Sequence, residues 1–251
     1  MRNIAFIISY DGTDFHGFQR QREDFTVQQA IEDALFKITG EEINVHGCGR
    51  TDAGVHALNY LLSFKTNSTI PAERFPMAVN SVISDGVYVK KAWEADDEFH
   101  GRFSVTRKTY VYRINNGEFN PFLRNYTWHY KYPLDAEKMQ QAAKALVGTH
   151  DFNCFMASGG QVESTVRTMF NADVTRNGDI VEVSLTADGF LYNMVRIITG
   201  TLVYVGGGKA DVGDIKKIID SKDRTKAGIT APPQGLFMKS VEFDDGKGSG
   251  N

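Results

Sequence analysis

Residues 26–40 read TVQQAIEDALFKITG, and this stretch decides the fold. Val27, Ala30, Ile31, Ala34, Leu35 and Ile38 recur at helical spacing, so one side of the segment is apolar and has to be covered by another layer. Thr26 and Gln29 stand three apart as a capping box, and Gly40 supplies the stop. Just upstream, residues 4–10 form an apolar run closed by Asp11 and Gly12, the pattern of a buried strand entering a turn. A buried strand followed by an amphipathic helix opens a layered unit of sheet and helix.

Working outward, the pattern predicts short strands over 43–46 and 59–64, a helix over 72–82 and a strand over 86–93. The second half repeats the plan. It reads as a strand at 109–114, a helix at 135–146, and a hairpin of 168–175 and 180–186 turning through Asn177 and Gly178. Phe190, Leu191, Met194, Val195, Ile198 and Leu202 make a second apolar helix face, ended by the glycines at 206–208. A short helix at 212–219 and a last strand at 236–243 follow. This order predicts an α+β fold of two similar halves, ferredoxin-like or RRM-like, with mixed, mainly antiparallel sheets and helices on one face, rather than a doubly wound parallel sheet. The expected domains are 1–104 and 105–244, with 245–251 as a disordered tail.

At 251 residues and 41% hydrophobic content the chain can bury real cores without disulfides. Its two cysteines, Cys48 and Cys154, form no CxxC pair, which points to a reducing, cytoplasmic setting. The first apolar run is too short for a secretory signal or a membrane span. Net charge is −3, from 28 basic and 31 acidic residues, which as a sum argues against an anionic partner. The distribution is more informative. Acids gather at Glu94, Asp96, Asp97 and Glu98 and at Glu242, Asp244 and Asp245, apart from a basic set of Arg20, Arg22, Arg50, Arg102, Arg107, Lys108 and Arg113. A basic groove on an acidic protein is compatible with these numbers.

Residues 47–57, GCGRTDAGVHA, concentrate glycine and small residues around Arg50, Asp52 and His56. Glycines let such a loop turn sharply and approach a ligand, and loops on a rigid sheet are where reactive groups collect. By itself the loop also fits a structural turn with a surface ion pair between Arg50 and Asp52. His46, Cys48 and His56 do not have the spacing of a structural zinc site, and no further His or Cys cluster offers a fourth ligand. Residues 206–209 resemble a phosphate loop only superficially, since Val203 and Ala210 stand where that motif needs Gly and Ser or Thr. Residues 99–114, FHGRFSVTRKTYVYRI, interleave Arg102, Arg107, Lys108 and Arg113 with Phe103, Tyr110 and Tyr112, a composition suited to phosphates and stacked bases. Alternation puts Tyr110 and Tyr112 on one sheet face, where core packing is the competing reading.

From about residue 10 to about residue 243 the chain resembles the tRNA pseudouridine synthase A family. Five stretches carry the likeness in order: YDGTDFHGFQRQ (10–21) with TVQQAIEDAL (26–35), GCGRTDAGVHA (47–57), FHGRFSVTRKTY (99–110), DGFLYNMVR (188–196) and AGITAPPQGLF (227–237). Departures are Phe18 where Trp is frequent, Gly101 where Ala is usual, and Ile229 where Pro is common. The resemblance implies isomerisation of uridine to pseudouridine at positions 38 to 40 of the tRNA anticodon stem-loop, in an active-site cleft between the halves. It implies Asp52 as the catalytic carboxylate, Arg196 as its cationic partner, Tyr110 as the base-stacking ring, Arg50 as a phosphate or base-flipping contact, and Leu236 beneath the base. It further implies no cofactor or metal, a homodimer, and tRNA as partner rather than DNA or a membrane. A non-catalytic RNA-binding module is the alternative, against which Asp52 speaks, since a passive binder gains nothing from an anion beside phosphate.

Overall fold

In the computed structural model, which describes residues 1–160 and 162–244, the opening apolar run forms β1 (Arg2–Tyr10). The expected tail at 245–251 lies outside the described residues. Helix α1 (Val27–Thr39) has the ends that its sequence specifies: the Thr26 side chain accepts from the Gln29 amide, and Gly40, left-handed at φ 73°, donates its amide to the Phe36 carbonyl. Val27, Ile31 and Leu35 on its apolar stripe are fully buried.

The chain divides into two compact units, one of Met1–Arg107 together with Phe237 onward, the other of Lys108–Leu236. In the first, β1 is paired antiparallel on one side with β3 (His56–Thr66) and on the other with β4 (Val87–Ala95). The last strand, β10 (Leu236–Phe243), runs parallel to β3 through Phe237 and Met238, and β2 (His46–Gly47) adds a short antiparallel pairing. Phe237 onward thus rejoins the first unit, whereas the linear split at 104 and 105 expected from the sequence puts that strand in the second half. Phe6, Phe64 and Phe75 form its aromatic centre, with ring centroids 4.9 to 5.8 Å apart. Burying each such ring contributes on the order of 2 kcal/mol.

In the second unit most of β5 (Val105–Asn115) pairs antiparallel with β9 (Ile180–Ala187), followed by β8 (Val166–Asn177) and β7 (Gly148–Asp151). Strand β6 (Trp128–His129) lies parallel to β5. The β8–β9 hairpin turns through Gly178 and Asp179, one residue later than the expected Asn177 and Gly178, because Asn177 still pairs with Ile180 and only Gly178 takes the left-handed conformation. Strand β9 alternates buried Val181, Val183, Leu185 and Ala187 with more open positions. Helices α3 (Ala136–Ala143), α4 (Met194–Gly206) and α5 (Asp214–Ser221) complete the unit, with α3 packed on β8 and α4. The fold is therefore α+β, with mixed, mainly antiparallel strand pairing.

Three expected elements differ. Only His46 of the 43–46 stretch enters a strand, because the partner register on β3 begins there. The helix at 72–82 splits into a 3-10 turn, Ala72–Arg74, and α2 (Phe75–Asn80), since Pro76 at the start of α2 supplies no amide to continue the earlier turn. Phe190 and Leu191 precede α4, because Asn193 is left-handed at φ 59° and no helix runs through that conformation. Among the described residues no helix is long and apolar enough to cross a membrane.

Candidate active site

The 47–57 loop leaves β2 and enters β3, and the turn after β1 holds it from beneath. The Tyr10 and Thr51 hydroxyls, both buried, are 2.8 Å apart, and burial pushes the Tyr10 phenol far above its ordinary range. The Tyr60 hydroxyl donates to the Gly49 carbonyl, and Phe18 stacks on the Tyr60 ring at 4.4 Å. The backbone makes a second set of ties. Phe18 donates to the Thr51 carbonyl at 3.2 Å, Gly54 to the Phe15 carbonyl at 3.3 Å, and the Gly12 amide to His56 Nδ1 at 3.0 Å. The Val27 and Gln28 amides at the start of α1, which have no partner inside the helix, donate to the Gly17 and Phe18 carbonyls. A helix end, a turn and the Asp52 loop are therefore one hydrogen-bonded assembly.

Two glycines make this closeness possible. A Cβ on Gly12 would lie 2.1 Å from the Val55 carbonyl oxygen, and one on Gly17, which is left-handed at φ 85°, would lie 2.5 Å from that of Thr51. The hydroxyl tie is the weaker constraint. Tyr10→Phe leaves the Thr51 hydroxyl without its buried partner and should lower stability by about 1 kcal/mol, read by chemical denaturation, with no loss of expression. A variant as stable as the parent would show that the tie does not hold the loop.

Asp52 itself is half-buried, while Arg50 is exposed and makes no hydrogen bond or ion pair among the described residues. The surface ion pair of the structural-turn reading is thus not formed. His46, Cys48 and His56 face separate partners: the rings of His100 at 4.7 Å and Phe237 at 4.6 Å for the two histidines, and Met238 Sδ at 3.5 Å for the thiol. Among the described residues no group of three or more His, Cys, Asp or Glu is arranged to hold a metal ion. The basic set is also divided. Arg20 pairs with Glu32 at 2.8 Å, Arg113 with Glu182 at 3.3 Å and Arg107 with Glu242 at 3.7 Å, whereas Arg22, Arg50 and Arg102 form no ion pair among the described residues.

The remaining candidates belong to the second unit. Tyr110 on β5 is 7% exposed, and its ring meets Phe190 edge-on at 5.1 Å. Tyr112, two residues on, is fully buried and donates its hydroxyl to the Pro232 carbonyl at 2.7 Å. Burial holds that phenol well above its usual range, against the pull of the Arg196 charge. Arg196, in the first turn of α4, donates Nε to the Ala231 carbonyl at 2.7 Å and Nη1 to Asn193 Oδ1 at 2.6 Å. Ala231 returns its amide to the Arg196 carbonyl at 3.1 Å. One guanidinium therefore fastens the 188–196 stretch to the 227–237 stretch, which continues through Gly235, packed on the Tyr112 ring, to the buried Leu236. Sequence reasoning missed Tyr10, Tyr60, Asn193 and Ala231 as supports. The partners of Tyr10, Tyr60 and Ala231 are far away in the chain or backbone carbonyls, and Asn193 meets the nearby Arg196 only because it turns left-handed ahead of α4; none of these leaves a signal in residue type.

A charged loop clamped on a rigid sheet, with a half-buried carboxylate at its tip, is the build of an enzyme site rather than of a folding core. Comparison with known proteins agrees. The tRNA pseudouridine synthase family model matches residues 6–104 and 142–244. The chain is 52% identical over 244 residues to the tRNA pseudouridine synthase A of Thermoanaerobacter pseudethanolicus, spanning 97% of this chain and all of that one. It is 47% identical to the protein of the same name from Caldicellulosiruptor bescii, with the same coverage, and 47% identical over 246 residues to tRNA pseudouridine synthase A 2 of Clostridium tetani. Among solved structures, a Cbf5-Nop10-Gar1 complex aligns with 94% of this chain and 49% of its own at TM-score 0.39 and 11% identity, too slight a likeness to bear on the fold. The chain belongs to the tRNA pseudouridine synthase family.

Proposed function

We propose that this chain isomerises uridine to pseudouridine at positions 38 to 40 in the anticodon stem-loop of tRNA, as a cytoplasmic homodimer without cofactor. The observation that carries the reading is the Asp52 loop: a half-buried carboxylate on a backbone tied at Gly49, Thr51, Gly54 and His56, in a chain that is about half identical to named synthases over nearly its whole length. In the reaction the bond from N1 to the ribose breaks, the uracil turns, and C5 takes the ribose carbon. The proton lost from C5 is balanced by the one gained at N1, so no oxidant, metal or nucleotide enters. Asp52 is the group that acts on ribose or base, and Arg196 is assigned the cationic role that favours an ionised carboxylate. Tyr110 stacks on the target base, Arg50 contacts phosphate as the nucleotide leaves its helix, and Leu236 packs beneath the base.

The test is to incubate the purified protein alone with an unmodified tRNA transcript and map pseudouridine by nucleotide. Conversion confined to the anticodon stem-loop is expected. Tight binding without any product would instead favour a non-catalytic RNA-binding module. A finer expectation concerns Tyr110→Phe, which keeps the stacking face and removes the hydroxyl: tRNA affinity should hold within about threefold while kcat falls about 100-fold if the phenol moves a proton. An unchanged kcat would restrict Tyr110 to stacking.

A further inference from the structure

Apart from the loop that carries Asp52, four side chains of the first unit form one ordered surface feature. His46, exposed at the start of β2, stacks on His100 at 4.7 Å with 30° between the rings. His100 in turn meets Phe103 at 4.6 Å, and the Arg102 guanidinium lies 5.6 Å from the Phe103 ring centre. A lone exposed phenylalanine requires no explanation. Phe103, however, is 76% exposed at the end of a row of three rings, beside a guanidinium that has no ion pair among the described residues.

The turn that presents these rings is fixed from several directions. The Ser104 amide donates to the His100 carbonyl at 3.0 Å, and the Arg102 amide to His100 Nδ1 at 3.0 Å. The Gly101 amide donates to the buried Ser63 hydroxyl at 2.8 Å, and the turn lies so low on β2 and β3 that a Cβ at 101 would come within 2.1 Å of the His46 carbonyl oxygen. That depth is what brings His100 level with His46. Burial first, then the neighbouring His46 and Arg102 charges, lower the His100 pKa, so the middle ring stays a neutral face while Arg102 supplies the positive charge. Of the acidic run before this turn, Glu94 pairs with Arg2 at 2.9 Å and Asp97 with Lys65 at 3.5 Å.

We infer that the His46–His100–Phe103 row with Arg102 is a second RNA-contact site, at which an unpaired nucleotide of the tRNA other than the one that reacts stacks on Phe103 while Arg102 holds its phosphate. An exposed π face beside an unpaired, always-charged fork is the chemistry that a nucleotide offers a complement to, and it tolerates any base. The row stands on β2, the strand that leads directly into the 47–57 loop, so a nucleotide docked there is tied to the scaffold that holds Asp52. The inference rests on tRNA being the substrate and adds a contact for it.

The test uses the full chain and an unmodified tRNA transcript. Phe103→Ala should raise both Kd and KM about tenfold and lower kcat far less, with an unchanged melting temperature because the ring is exposed. Phe103→Trp should restore parental affinity, and Arg102→Gln should reduce the slope of log Kd against log salt by about one contact. Kd and KM within twofold of the parent for Phe103→Ala, or no rescue by Trp, overturns the inference. A parent protein that forms pseudouridine while Phe103→Ala is unaffected sinks only this site. One that binds through Phe103 yet forms no pseudouridine sinks only the proposed reaction, and one that fails to bind tRNA sinks both.

Discussion

Asp52→Asn should abolish pseudouridine formation while tRNA still binds. Asparagine keeps the size and shape of the side chain, so the loop, which is held by Tyr10, Tyr60 and its backbone ties, should keep its place. Only the negative charge and its capacity to attack or to take a proton are lost. A group that forms or breaks bonds in the reaction is worth at least about a thousandfold in kcat. Single-turnover conversion of a labelled transcript measures that loss, and filter binding at fixed salt should give a Kd within about threefold of the parent. Turnover above about a tenth of the parental rate would remove Asp52 from the chemistry. A loss of binding as large as the loss of rate would instead make it a structural residue of the RNA interface.

Gly17→Ala should have the next largest effect, and for a reason that no inspection of residue 52 reveals. At φ 85° an alanine costs about 1 to 2 kcal/mol in backbone strain before any contact is counted. Its Cβ would also meet the Thr51 carbonyl oxygen at 2.5 Å, and that contact is with backbone that cannot rotate away. The same segment accepts the Val27 amide and, through Phe18, donates to Thr51, so relief of the clash moves either the start of α1 or the loop. The expected result is a loss of roughly 2 to 3 kcal/mol in unfolding free energy together with a kcat lowered about tenfold or more. Denaturant unfolding and steady-state kinetics on tRNA check the two parts. A stable protein of parental activity would mean that the loop is not positioned from below by this turn.

Much of the architecture was legible from local patterns. The ends of α1 follow from Thr26, Gln29 and Gly40, because capping is settled by a few neighbouring residues. The β8–β9 hairpin follows from two alternating runs around Gly178, although the turn itself falls on Gly178 and Asp179, and the last strand follows from the run 236–243. The misreadings arose where a local pattern was outweighed. Phe190 and Leu191 continue the apolar periodicity of α4, yet Asn193 turns left-handed and gives its side-chain oxygen to Arg196, a role that hydrophobic spacing does not encode. Strands as short as β6 and β7 exist only because a longer neighbour offers a register, and two to four residues carry no periodicity of their own.

By itself the sequence determined the class of fold, the ends of its main helix and the stretch that bears Asp52, since propensity, capping and alternation act over a few residues. It also placed Arg50, Tyr110, Arg196 and Leu236 among the residues to watch. Only the tertiary structure decided what holds them. Thr51 finds its hydroxyl partner 41 residues away in Tyr10, Arg196 its carbonyl 35 residues away in Ala231, and Gly17 turns out to lie under the Thr51 backbone. Such contacts depend on distances through space between groups common in any protein, and no pattern along the chain records them.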